Sequence, residues 1–99
     1  MSQTMKHSIL LHEKDDDVGV AVADLKKGAN AGAVTLEGQP VGSVKMVDDV
    51  PLGHKVALRA LPKDKEVIKY GRPIGKAVKD IAKGAHVHVH NLKTMRWSI

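Results

Sequence analysis

Residues 18–23 read Val-Gly-Val-Ala-Val-Ala. Bulky β-branched side chains alternate there with small ones at a period of two, which is the pattern of a strand with one buried face. The same signal recurs on both sides. Upstream, Ile9-Leu10-Leu11 forms a short apolar run behind a loose tail at residues 1–6. Downstream, alternating or β-rich pieces lie at residues 33–37, 41–47, 55–59, 67–70 and 86–90. Turn signals separate them: Gly28, Gly38-Gln39-Pro40, Pro51-Leu52-Gly53, Pro62-Lys63-Asp64, Gly71-Arg72-Pro73 and Lys83-Gly84. Many short strands with such punctuation predict an all-β, mainly β domain of barrel or sandwich type. Residues 74–82 are ambiguous, because Ile74, Val78 and Ile81 would share a helical face. They are read as mainly strand followed by a turn.

A small recurrence runs through the same pattern. An apolar residue, two further residues and then Gly or Asp appear at Leu25-Lys26-Lys27-Gly28, Val50-Pro51-Leu52-Gly53, Leu61-Pro62-Lys63-Asp64 and Ile81-Ala82-Lys83-Gly84. Their spacing is irregular, which predicts a repeated turn type and not a solenoid. In each, the apolar residue would plug the core beneath the turn while the glycine supplies an unusual backbone angle.

With 99 residues the chain makes one domain, read as residues 7–97. A chain of about 100 residues buries only about two-thirds of its unfolded surface, so the core is small. A partner-covered apolar patch, and self-association when isolated, are therefore expected. The composition, 42% apolar and 27% charged, is that of an ordinary soluble globular domain. No apolar run reaches the roughly 18 residues that a membrane span needs, and the N-terminus lacks the features of a secretory signal. A cytoplasmic location and no membrane partner are expected. The absence of cysteine excludes disulfide scaffolds, thiolate nucleophiles, iron–sulfur clusters and Cys-ligated zinc.

Charge is distributed unevenly. Residues 1–50 carry 5 basic and 8 acidic side chains, whereas residues 51–99 carry 11 basic and 3 acidic ones. One end of the molecule should thus attract anions. Nucleic acid is a poor candidate, since only Tyr70 and Trp97 are available for stacking on bases. Small carboxylate or sulfonate metabolites, or an acidic protein surface, suit the charge better.

The sharpest chemical feature is His86-Val87-His88-Val89-His90-Asn91. In a strand, Val87 and Val89 would enter the core while His86, His88 and His90 line the other face. Neighbouring imidazoles would start about 6.6 to 6.8 Å apart, and the outer pair about 13 Å apart. Two of them, His86 and His88, could converge on one cation with bonds of about 2 Å, but a complete site needs a ligand from elsewhere or from another chain. A single histidine here would be a polar residue on a half-exposed strand; three in alternation mark a functional face. A second feature is Gly53-His54-Lys55, in which a turn glycine is followed by a titrating imidazole and a fixed cation. The third, His12-Glu13-Lys14-Asp15-Asp16-Asp17, sets oxygen ligands beside an imidazole, with His12 and Asp16 as the candidate pair for a hard cation. A solvated acidic loop is the simpler reading of that segment.

Several of these stretches together resemble one family. Val50-Pro51-Leu52-Gly53-His54-Lys55-Val56-Ala57-Leu58, Val67-Ile68-Lys69-Tyr70-Gly71-Arg72-Pro73-Ile74-Gly75-Lys76-Ala77, Asp80-Ile81 and Gly84-Ala85-His86-Val87-His88-Val89-His90-Asn91 resemble the small SAF-type domain of the altronate dehydratase family. His12 with Asp16-Asp17-Val18-Gly19-Val20-Ala21 resembles its opening strand pair, and the likeness runs from about residue 7 to residue 97. Asp17 departs from the pattern, since the family commonly has Asn there. The closing Asn91-Leu92-Lys93-Thr94-Met95-Arg96-Trp97 is similar to the small subunits of family members such as the sulfolactate sulfo-lyases.

The resemblance implies a β-clip fold and a free-standing small subunit, inactive alone, of a two-component lyase. It also implies a large catalytic subunit of the same family as partner, a small anionic hydroxy acid as substrate, and a divalent metal, iron(II), held mainly by the large subunit. The family's reactions remove a proton beside a carboxylate and expel water or sulfite from the adjacent carbon, leaving an enol that relaxes to a 2-oxo acid. On this reading His54, His88 and His90 are acid/base or orienting groups. Lys55 clamps an anion, and Gly53, Tyr70, Gly71 and Asn91 shape the pocket. The alternative is a non-catalytic β-clip module that binds a sugar acid or a protein.

Overall fold

The computed structural model describes residues 7–13, 15–69, 72–88 and 90–94. The tail at residues 1–6, Lys14, Tyr70, Gly71, Val89 and the closing residues 95–99 lie outside them. Among the described residues there is no helix, and the strands are β1 (His7–Leu11), β2 (Val18–Ala21), β3 (Asn30–Thr35), β4 (Pro40–Lys45), β5 (Lys55–Ala57), β6 (Glu66–Lys69), β7 (Arg72–Ala77), β8 (His86–Val87) and β9 (Leu92–Thr94). They form a six-stranded sheet in the order β4-β3-β1-β2-β5-β8 and a three-stranded sheet in the order β6-β7-β9. The β1–β3 pair is parallel, and the other pairs are antiparallel. This is the all-β class that the alternation predicts. The ambiguous segment forms strand β7 and then a turn.

Two small apolar clusters hold the sheets together. One contains Ile9, Leu11, Ala21, Leu25, Met46 and Val56, and the other contains Val18, Ala57, Leu61, Val67, Ile81 and Val87. Each large side chain fully buried in them contributes about 1.5–3 kcal/mol relative to exposure. Strand β2 serves both clusters, Val18 in one and Ala21 in the other. This corrects the simple reading of residues 18–23. Val18 is buried, but Val20 is only half-buried and Val22 lies beyond the strand end and is 45% exposed, while Gly19 and Ala21 are enclosed. Gly19 shows why: an added Cβ would stand 2.5 Å from Ile9 Cγ2, so β1 and β2 approach too closely for a side chain.

The four recurring segments fold into one turn, used four times. Gly28, Gly53, Asp64 and Gly84 all have positive φ, at 92°, 89°, 73° and 86°. In each, the next residue donates its N–H to the carbonyl two positions before the left-handed residue: Ala29 to Lys26, His54 to Pro51, Lys65 to Pro62 and Ala85 to Ala82. The turns couple in reciprocal pairs. Leu25 bridges Val50 and Leu61 bridges Ile81. Gly28 donates to Met46 while Gly53 donates to Ala21, and Asp64 donates to Ala77 while Gly84 donates to Ala57. Asp24 accepts from the Leu52 N–H and Asp49 from the Lys27 N–H, at 2.9 and 2.8 Å, so the first pair is capped in both directions. In the second pair Asp80 accepts from the Lys63 N–H at 2.9 Å, and Ala60 occupies the position corresponding to a second aspartate.

Asp17 pins the two sheets together. Its buried carboxylate accepts from the Ile68 N–H at 2.9 Å and pairs with Lys65 at 3.0 Å and Arg59 at 3.5 Å. An amide could accept the same backbone bond but could not pair with two cations, which gives the aspartate at this position a physical role.

Candidate functional site

His54 is the residue after one of the repeated turns, directly ahead of β5, and its backbone is fixed by bonds to Pro51 and Ala21. Antiparallel pairing of β5 with β8 sets Val56 opposite His86 and Lys55 opposite Val87. The turn glycine and the strand register together bring the His54 ring onto the histidine-rich segment. Gly53 has open space around its missing Cβ, so backbone conformation alone explains the glycine.

The segment at residues 86–90 is not the straight strand that alternation predicts. Strand β8 ends at Val87, and the chain turns back at once. Asn91 is responsible: its Oδ1 accepts from the His88 N–H at 3.0 Å, and its Nδ2 donates to the His86 carbonyl at 2.8 Å. Backbone bonds from Asn91 and Leu92 to the His88 carbonyl close the turn. The His86 and His90 rings are therefore 5.3 Å apart between centroids, well under the separation expected from an extended strand. Val89, expected in the core, lies outside the described residues.

Three imidazoles consequently converge. Ring centroids stand 5.0 Å apart for His54 and His86, 4.5 Å for His54 and His88, and 5.6 Å for His86 and His88. His54 Nδ1 and His86 Nε2 are hydrogen-bonded at 2.8 Å, one ring donating and the other accepting according to tautomer. One ring nitrogen from each of His54, His86 and His88 lies within 4.8 Å of the others. His54 and His86 are half-buried, whereas His88 and His90 are exposed, so the cluster opens to solvent. His86 is held below the usual imidazole range, first by burial and then by the neighbouring His54, His90 and His88, while Asp48 pulls the other way. The sequence reading did not single out Asp48, whose Oδ2 accepts from the His86 N–H at 3.0 Å. Its link to His86 spans 38 positions, and only the fold reveals it.

Of the other candidates, Lys55 is half-buried on β5, in register with the residue between His86 and His88. Asn91 is buried, and both ends of its amide are engaged in the turn that shapes the cluster. Tyr70 and Gly71 lie outside the described residues. His12 and Asp16 stand apart from the cluster's donor set. The Asp16 carboxylate is fully buried and accepts from the backbone N–H groups of His12 and Glu13 at 3.2 and 3.1 Å, shaping the loop between β1 and β2. His12 is exposed beside a shallow depression of about 370 Å³ that it shares with Glu13, Thr35 and Gln39.

Residues 6–95 match the family described as the altronate/galactarate dehydratase SAF domain. The chain belongs to that SAF-domain family. Among its relatives is a (2R)-sulfolactate sulfo-lyase subunit alpha from Chromohalobacter salexigens, 40% identical over 97 residues that cover 94% of this chain and all of the relative. The corresponding subunit from Paracoccus pantotrophus is 59% identical over 49 residues, covering 50% of this chain and 73% of that one. The altronate dehydratase of Bacillus subtilis is 41% identical over 90 residues, 91% of this chain but 17% of its own length. The chain is thus similar both to a sulfo-lyase subunit alpha and to part of a dehydratase, and the two sheets are consistent with the β-clip fold. Among the described residues no helix is long and apolar enough to cross a membrane.

Proposed function

We propose that this SAF-domain chain is the small subunit of a two-component lyase that acts on a small anionic 2-hydroxy acid and forms a 2-oxo acid. The leaving group is sulfite, as from 3-sulfolactate, or water, as from a sugar acid. One observation carries the reading: His54, His86 and His88 converge at an open edge of a chain that aligns with the full length of a sulfo-lyase subunit alpha.

In such an elimination a proton leaves the carbon beside the carboxylate, the bond from the adjacent carbon to the leaving group breaks, and the resulting enol tautomerises, gaining a proton at that adjacent carbon and releasing its hydroxyl proton, to give the 2-oxo acid. Negative charge grows on the carboxylate and on the departing group, and preorganised cations lower its cost. Lys55 supplies a fixed positive charge, and His54, His88 and His90 orient the departing group or carry its proton. Asn91 positions the rings through the turn it braces. A divalent metal held mainly by the large subunit would supply Lewis-acid stabilisation of the developing negative charge.

Purified chain should be mixed with a large subunit of the same family and assayed with 3-sulfolactate and with altronate, sulfite and 2-oxo acid being read separately. Turnover is expected only from the mixture, and substituting His54→Ala or His88→Ala should lower kcat by at least about 100-fold, the lower end of what a positioned proton carrier contributes. Unchanged turnover in both variants would remove the histidines from the mechanism. No elimination by the mixture would favour the binding-module alternative.

A further inference from the structure

We propose that His54, His86 and His88 form a three-imidazole site for a borderline divalent transition metal, with zinc(II) as the reference ion and one coordination position left open. The donor set decides the class. It consists of three neutral-capable nitrogens, which suit zinc, nickel or copper better than the oxygen-seeking calcium or magnesium. Zinc sites with three protein ligands and an open fourth position are an established arrangement, with metal–nitrogen bonds of about 2.0–2.1 Å.

Distances favour it as well. Ligand nitrogens around one tetrahedral ion stand roughly 3.3–3.4 Å apart, as bond lengths of about 2.0–2.1 Å require. His54 Nδ1 and His86 Nε2, now 2.8 Å apart, need only part slightly. Within the 4.8 Å spread of the three donors, exposed His88 has room to swing inward. The proton shared between His54 and His86 moves to the far nitrogen of its ring, which leaves both facing lone pairs free and changes no net charge on the imidazoles. The surrounding chain fixes the donors from three directions. The repeated turn holds His54, Asp48 anchors the His86 N–H, and Asn91 ties the His86 carbonyl to the His88 N–H. A bound cation would take over the positive charge that these rings otherwise carry only when protonated, and its open position faces solvent, where a carboxylate or sulfonate could reach it.

The inference stands on the chain alone and goes beyond the lyase reading, so its test uses neither partner nor substrate. Full-length chain without a polyhistidine tag is stripped with EDTA, then titrated with zinc by calorimetry and with cobalt(II) by visible absorption. Saturation at one ion per chain, with the intense visible bands of four-coordinate cobalt, is the expected result. His88→Gln is the decisive variant because that side chain is exposed and its loss should leave the fold intact. It should weaken zinc binding by more than the roughly 10–100-fold that losing a supporting partner costs. His54→Gln and His86→Gln should do the same, with folding checked by amide NMR, while His12→Gln should leave the isotherm unchanged. Absence of saturable binding, or equal weakening by His12→Gln and His88→Gln, overturns the site. Because no turnover is measured, failure here leaves the lyase reading standing, and failure of reconstitution leaves the metal site standing; with the ion bound, His54 and His88 act by orienting the departing group and His90, outside the donor set, is left to carry its proton.

Discussion

His86 gathers the largest set of competing influences in the chain. Its ring is half-buried and faces His54, His88 and His90, with Asp48 as the acidic neighbour acting on it among the described residues. Folding lowers its pKa, so between the folded value and the ordinary value near 6.5 the unfolded chain binds more protons. The contribution to stability is therefore complete above about pH 6.5 and is lost as pH falls through that value toward the folded one. For metal-free chain, thermal unfolding followed between about pH 7.5 and pH 5.5 should show Tm dropping with acidification, with a shallower slope in His86→Gln. Identical slopes in the two proteins would mean that other groups set the acid response. Asp17 represents another kind of residue-level surprise. Its acidic character was plain from the chain, but its pairing with Lys65 and Arg59 is a product of folding.

At the level of elements, the repeated turn invites two experiments. Ala60 stands where Asp24, Asp49 and Asp80 stand in the other three copies, and by that equivalence its side chain points toward the Lys83 N–H. Ala60→Asp should add a capping bond worth about 1 kcal/mol and raise Tm by about 4–8 °C. A variant no more stable than the parent would show that the fourfold equivalence does not extend to this position. The second experiment compares two glycines of similar φ. An added Cβ at Gly28 meets nothing within 4 Å, whereas at Gly84 it runs into the Lys45 carbonyl and Val44. Gly28→Ala should cost about 1–2 kcal/mol, the expense of a left-handed L-residue, and Gly84→Ala distinctly more, as chemical denaturation would measure. Equal losses would count against the crowding at Gly84.

Much of this was legible in the chain. The recurrence exposed the turn because a positive φ imposes Gly or Asp locally, and strand alternation exposed the class because a period of two is also local. The reciprocal pairing of turns was hidden, since it runs through backbone bonds between segments some 20 or more positions apart, such as Leu25 with Val50. The site was half legible for the same reason. His86, His88 and His90 announced themselves by spacing and His54 by its turn, but nothing local said that strand β8 would stop at Val87 or that Asn91 would fold the rings together.

The molecule as a whole is elongated, 52 × 27 × 20 Å, with a radius of gyration of 13.0 Å that matches the roughly 13 Å expected for 100 residues. Its two apolar clusters could in principle melt one after the other. Strand β2 argues against that, because Val18 and Ala21 place one short strand in both. Leu11→Ala in the first cluster and Leu61→Ala in the second should each cost about 2–5 kcal/mol and lower the temperature of one shared calorimetric transition. Two resolved transitions in either variant would show that the halves unfold independently.

A last consequence concerns the position just past each left-handed residue. It is occupied by Ala29, His54, Lys65 and Ala85, four dissimilar environments served by one backbone shape. Main-chain bonds and aspartates elsewhere hold that shape, so its occupant is not asked to maintain the loop. The domain therefore offers a ready mounting bracket: at solvent-facing Ala29 a reactive group can be grafted by a single codon change, without inventing a new loop.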